Sequence, residues 1–299
     1  MNHFLRRLTH DDYTVACICP MGVELAPVEA MLDEMHQSLP TSRDQNCYTL
    51  GCIAAHNVVI AVMSEIGNNN AAIVATQLLN DFRSIRFGLL VGIGGGIPSD
   101  DEDDIRLGDV VVSRPTAKFG GVVQFDKGKI HSNGQFERTG TLKKPPAVLM
   151  ANVFKLESQH RRIGNQISKY LSEMLERFPY MKKGYGYPGT EQDQLFEASY
   201  NHEGEKFCQL CDRKRVVKRA LRENTTPIIH YGTIGSANEV IKDSKTRDKL
   251  RKDLGILCVE MEAAGLMDDF SCLVIRGMFI AMVFPSTATC PTDPGTNLS

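Results

Sequence analysis

IRFGLLVGIGGGIPSDDEDD, residues 85–104, is the stretch on which the fold turns. Its first half is a dense apolar run of strand type, too short for a helix of ordinary length, and it runs into glycines. The residues after the glycines decide between α/β architectures. A dinucleotide fingerprint needs its glycines to open a helix whose amides face a pyrophosphate. Here Pro98 and five acids, Asp100 to Asp104, come next instead. Carboxylates beside a phosphate repel it, so a dehydrogenase-type cofactor site fails on this acidic run. Two readings of the glycines stay open. A small ligand can pack flat against bare backbone, or a tight turn can need glycine for its dihedrals.

Working outward, buried strands alternate with helices. YTVACICP (13–20) is a β-branched run closed by proline, and a helix is expected over 24–39 with Pro27 in its first turn. Residues 52–63 hold strand material with a hairpin around His56 and Asn57, and 68–82 reads as a helix opened by asparagine. Strands follow at 105–115 and, in part, between Gly120 and Phe136. Residues 143–180 read as two helices, and 181–227 is polar. The strand PIIHYGTIG (227–235), a helix over 236–254, the strand ILCVE, a short helix to Phe270 and the strand CLVIRG (272–277) complete the order. This alternation predicts a single α/β domain around a central sheet, with an inserted helical and loop segment at about 143–227. Residues 1–12 form an N-terminal extension and 278–299 an atypical tail.

The totals set limits. With 299 residues, 42% hydrophobic and 23% charged, the chain has ordinary globular composition. A net charge of −2 gives no electrostatic case for nucleic acid or a membrane surface. No apolar run reaches the roughly 18 residues of a membrane span, and MNHFLRRLTHDDY lacks the apolar core of a secretory signal. Nine scattered cysteines, several inside apolar strands, fit reduced thiols and a cytoplasmic or nuclear setting.

Few residues carry chemistry on their own. CQLCD (208–212) offers two thiols with only His202 nearby, short of the four ligands of a structural zinc, so no metal is expected. The basic run DRKRVVKRALR (212–222) is a solvated face or meets an anionic part of a substrate. Glu24 stands where the first strand gives way to a helix, an edge at which open α/β sheets bind ligands, and also where the helix dipole favours an acid. VEMEA (259–263) places Glu260 and Glu262 after an apolar run, where a buried carboxylate must be paired or used.

Together, Glu24, GNNNAA (67–72), VGIGGG, LGDVVVS (107–113), GTIGSANEVI (232–241) and CVEMEAAGL (258–266) stand in the order of a known family. The chain resembles the nucleoside phosphorylase and nucleosidase superfamily over about residues 13–277. The loops YPGTEQDQLFEASYNH and IHYGTIGSANEVIKD resemble its fungal branch, which often precedes NACHT, ankyrin or tetratricopeptide regions. The resemblance implies a central mixed sheet flanked by helices, no cofactor, a homo-oligomer, and cleavage of the N-glycosidic bond of a purine nucleoside or nucleotide, adenine compounds foremost. It makes Glu262 the acceptor for both ribose hydroxyls, with Met261 packing on sugar and base and Glu260 in support. Glu24 matches the glutamate that activates water. Gly94 and Gly95 line the site through backbone, and Ser236 to Val240 form part of the base pocket. Phosphorylases carry an arginine and a serine where this chain has Leu90 and Ile93, so water is expected in place of phosphate.

The resemblance fails after IRG. The position of the family's catalytic aspartate falls at about Ile280, and Asp293 lies in a Pro/Gly-rich tail. General-acid help is worth about 10²–10⁴ in rate. Activity is therefore in question, and a catalytically silent nucleoside-binding sensor is the alternative. Gly277-Met278-Phe279 can be encoded with the splice signal GTATGT, so the tail is expected to be translated intron. Sequencing the transcript across that point tests this.

Overall fold

A computed structural model describes residues 5–40, 45–99, 103–200, 211–241, 243–270 and 272–278, with the backbone of 289–290. The fully buried strand β1 (Val15–Cys19) leads into helix α1 (Gly22–Ala30). The helix expected over 24–39 stops at Ala30, because pairing outcompetes it. Short β2 (Glu34–Met35) lies against β3 (Cys47–Ile53), with Asp33 N and His36 N donating to the carbonyls of Cys52 and Leu50. A two-residue turn at Ala54 and Ala55 leads to β4 (His56–Val62), antiparallel to β3. Helix α2 (Asn68–Asp81) follows as the sequence predicts, and then the ten-residue strand β5 (Phe87–Gly96).

The next strands are β6 (Val110–Ser113), β7 (Val122–Gln124), β8 (Gly128–Ile130) and β9 (Phe136–Arg138). Helices α3 (Ala147–Ile163) and α4 (Ile167–Arg177) match the two helices expected, followed by one turn, α5 (Lys182–Tyr185), and short β10 (Gln194–Leu195). Then come β11 (Ile229–Ser236), α6 (Ser244–Leu254), β12 (Ile256–Glu260), α7 (Ala263–Leu266) and β13 (Cys272–Met278), and β14 (Thr289–Cys290) pairs with β10. The helix expected from 236 begins only at Ser244, where Asp243 caps it by accepting from Thr246 N.

Among the described residues the main sheet has ten strands, ordered β12-β11-β6-β13-β5-β1-β4-β3-β2, with β7 added on β11. Its core is parallel, but β13 runs antiparallel to β6 and β3 to β4, so the sheet is mixed. The length of β5 has a consequence. Residues 87–90 pair with β1 and 88–94 with β13, while Gly95 and Gly96 at its end pair with β12. That last pairing closes β5, β13, β6, β11 and β12 into a ring. The glycines are therefore strand, and the tight-turn reading is wrong: none of Gly92, Gly94, Gly95 and Gly96 has positive φ. One face of the sheet is covered by α2, α7 and the turn after α7, through Val74, Leu78, Leu266 and Phe270. Opposite, α1 shelters Cys17, Leu32 and Ile60, and α3 lays Leu149, Met150 and Val153 against Val112 and Leu273. Among the described residues no helix is long and apolar enough to cross a membrane.

Candidate active site

The parallel strands β1, β5 and β13 bring their C-terminal ends to one edge, and β12, antiparallel to the end of β5, brings Glu260 to the same place. Glu24 is the third residue of α1. Its backbone N–H bonds Met21 O and its Oε2 accepts from Met21 N at 2.7 Å, the reciprocal bonding that fixes a helix start. Its other oxygen accepts from Ile93 N at 2.7 Å, which pins the carboxylate to β5. Glu260 ends β12 and turns inward, accepting from the N–H groups of Glu262 and Ala263. Glu262 then opens α7, and its Oε1 accepts from Gly67 N at 3.2 Å. Gly67 has φ 118°, a conformation in which a side chain would be strained.

Between these carboxylates stands Arg276 of β13, with none of its surface exposed. Its guanidinium pairs with Glu260, lies 3.0 Å from Glu262 Oε2 and 3.6 Å from Glu24 Oε1, and donates to Ile93 O. Gly92, its neighbour across the parallel ladder, makes the room. A Cβ there would stand 2.2 Å from Arg276 Nη1 and 2.4 Å from Glu24 Oε1. Sequence reasoning missed Arg276. The signal was present, since a guanidinium inside CLVIRGM needs buried partners, but IRG served only as a landmark.

Three carboxylates share one cation, and that imbalance sets their chemistry. Burial raises Glu24, Arg276 and the Ile93 amide oppose it, and the carboxyl ends at about 7. Burial also pushes Glu262 up, against the pull of Arg276. A carboxyl poised near neutrality can both give and take a proton at cellular pH.

A cleft of about 520 Å³, its open mouth included, adjoins this cluster. It is lined by Glu24, Gly94, Gly95, Glu260, Met261 and Glu262 together with Val240, so seven of the eight residues picked from the sequence meet there. Ser236 does not line it. Its buried hydroxyl donates to Asn68 Oδ1 at 3.1 Å and accepts from Ala264 N, tying α2 to α7 behind the wall. Glu239, Ile241, Ile66 and Ile93 line the cleft beside Val240. Leu90 is sealed in the core and does not reach the cleft. The expected aspartate position near Ile280 lies outside the described residues, as do Asp293, His202 and Cys208. Cys211 is buried.

The basic run is engaged elsewhere. Arg222 grips Asp109 through both oxygens, Arg219 bonds Asp193, Arg215 pairs with Glu197 and Arg213 with Gln194.

Comparison with known proteins agrees with this fold. Residues 14–166 match the sequence profile of the phosphorylase superfamily. The chain belongs to that superfamily. A nucleotide-binding leucine-rich repeat (NLR)-like protein of Hyaloscypha variabilis is 43% identical over 273 residues, which is 91% of this chain and 27% of that protein. The chain thus spans about a quarter of that relative. Solved structures show the superfamily fold at low identity. A putative 5'-methylthioadenosine/S-adenosylhomocysteine nucleosidase of Borrelia burgdorferi, bound to adenine, has a TM-score of 0.55 and 15% identity, with 89% of this chain and 85% of that one covered. A Helicobacter pylori MTAN variant with 5'-methylthioadenosine gives 0.53 and 14%, covering 89% and 84%. Helicobacter pylori futalosine hydrolase gives 0.52 and 14%, covering 90% and 85%. At such identities the likeness is one of fold.

Proposed function

We propose that this chain hydrolyses the N-glycosidic bond of a purine nucleoside. The carrying observation is the meeting of buried Glu24 and Glu262 across Arg276 at the wall of one cleft. Glu262 spends one bond on Gly67 and one on Arg276, and a carboxylate has about four acceptor sites, so two remain for a vicinal diol. Met261 offers a soft apolar surface to sugar and base, and bare backbone at Gly94 and Gly95 lets a flat ligand approach. Glu24, held near neutrality, takes the proton of the attacking water as the C–O bond forms and the C–N bond breaks, the departing base takes a proton from solvent, and Arg276 steadies the carboxylates.

Two observations favour water over phosphate and a nucleoside over a nucleotide. The charged side chains lining the cleft, among the described residues, are Glu24, Glu239, Glu260 and Glu262, with Arg276 buried behind them and shared among three of them. A phosphate dianion would meet negative walls. The arginines of the basic run, the candidate holders of a 5'-phosphate, are bound to Asp109, Asp193 and Glu197.

A second reading rests on the relative. The NLR-like protein matched over its similar portion supports a nucleoside-binding sensor that uses this cleft without turnover. One experiment separates the two. Purified protein is incubated with adenosine, methylthioadenosine, inosine, guanosine, AMP and ATP, with and without phosphate, and free base is measured by chromatography. Base release without phosphate, abolished in Glu262→Gln, is the expected result. Release only with phosphate overturns hydrolysis, and saturable binding without release selects the sensor.

A further inference from the structure

We propose that Glu34, His36 and Cys52 form a binding site for a divalent cation of the zinc class, at the outer edge of the sheet and apart from the cleft. The three offer a carboxylate oxygen, an imidazole nitrogen and a thiol sulfur, and these atoms lie within 4.8 Å of one another. The backbone explains the meeting. Residues two apart on a strand share a face, so Glu34 and His36 point the same way. Cys52 is the antiparallel partner of Glu34 and presents its side chain on that same face.

The frame is rigid before any metal arrives. Asp33 N bonds Cys52 O at 3.0 Å, His36 N bonds Leu50 O at 2.7 Å, and Gln37 N bonds Arg6 O at 2.9 Å. The independent sign of a ligand is His36 itself. It is 96% buried, since only 4% of its surface is exposed. Its Nδ1 is held by the Tyr13 hydroxyl at 3.0 Å, while its Nε2 is buried with no hydrogen-bond partner among the described residues. A buried ring nitrogen left unpaired is costly. A cation on Nε2 resolves that, and Tyr13 then serves as the outer partner that orients a ligating imidazole.

Donor chemistry selects the ion. Mixed sulfur, nitrogen and oxygen donors suit zinc and discriminate against magnesium and calcium. Tetrahedral zinc with bonds of roughly 2.0–2.3 Å places ligand atoms about 3.3–3.8 Å apart, a contraction that rotation of exposed Glu34 and half-buried Cys52 supplies. Three protein ligands leave a fourth position for water. Bound there, the ion staples β2 to the β3–β4 hairpin and so fixes the chain that leaves α1. Sequence spacing hides the site, because two ligands are two residues apart and the third arrives across a hairpin.

The test uses the full chain, stripped with a chelator and titrated with zinc against a chromogenic competitor, and with cobalt for its spectrum. The expected result is one equivalent bound, with a near-ultraviolet thiolate-to-cobalt band. Cys52→Ala should abolish that band and weaken zinc by at least about 100-fold, beyond the roughly 10–100-fold carried by an outer partner. Tyr13→Phe should weaken binding by about tenfold and keep the band. Zinc should raise the melting temperature of the wild type and leave that of Cys52→Ala unchanged. If Cys52→Ala does not fold, Glu34→Gln, altered at an exposed side chain, decides by the same loss of affinity. Absence of binding by the wild type overturns the proposal. So does binding lost in Cys47→Ala or Cys208→Ser but retained in Cys52→Ala and Glu34→Gln.

Discussion

Asp109, just before β6, and Glu24, in the first turn of α1, are both buried carboxylates, and they are driven in opposite directions. For Asp109, burial works to raise the carboxyl, but Arg222 on both oxygens, His230, and the N–H groups of Ile228 and Arg106 more than reverse it, to about 2. Glu24 has two amide donors and a third share of Arg276, and burial wins, to about 7. Burial is common to both; the count of partners is not. A cluster in which every charge is answered holds chain segments together. One in which three acids compete for one base keeps a mobile proton near neutrality, the condition that acid–base chemistry needs.

The largest test of that contrast is to remove one charge from each cluster. Glu24→Gln should lower base release by about 10²–10⁴-fold while leaving thermal stability unchanged or raised, since it removes a buried, under-compensated charge. Arg222→Leu should do the reverse. It strands Asp109 without its main cation, so denaturant unfolding should show a loss of about 3–5 kcal/mol, and correctly folded protein should keep its KM. Smaller still, Gly92→Ala pushes a methyl group into Arg276 and Glu24. It should reduce stability by about 1–3 kcal/mol and lower kcat more than Arg222→Leu does.

The least effect is in acid. Asp109, lowered from 3.8 to about 2, binds fewer protons folded than unfolded in that window. Its contribution, about 2 kcal/mol, is full above the unfolded value and fades as pH falls toward 2. Glu24 has the opposite sign. Its raised carboxyl favours the fold at low pH, and that contribution declines as pH rises from 4.5 to about 7. Chemical denaturation of wild type, Asp109→Asn and Glu24→Gln across pH separates the two slopes.

Much of the fold and the cleft was legible in the sequence, for identifiable reasons. Strand and helix order could be read because 13–20, 68–82 and 272–277 carry strong periodicity and clean boundaries. Glu24, Glu262, Met261 and Val240 were legible through motif order, and the cleft gathers them. The hidden part is tertiary. The end of α1 at Ala30 is set by β2 pairing with β3, which no local pattern announces. VGIGGG looks like a turn because glycine in a strand is unusual, yet here Gly92 is required by a guanidinium from another strand. Ser236 shares a motif with Val240 but faces Asn68 instead of the cleft. Arg276 was visible as a letter and invisible as a partner, because its three carboxylates lie 16, 14 and 252 residues away in sequence.

The central claim is that the cluster around Arg276 holds a carboxyl proton near neutral pH. Its most direct measurement is a carbon-13 NMR titration of protein labelled at glutamate side-chain carboxyls, with Glu24 assigned by the signal absent from Glu24→Gln. The Glu24 resonance is predicted to titrate at about 7, with base release rising through the same pH. A Glu24 signal titrating in the ordinary range, about 4.3, with base release indifferent to pH around neutrality, would contradict it.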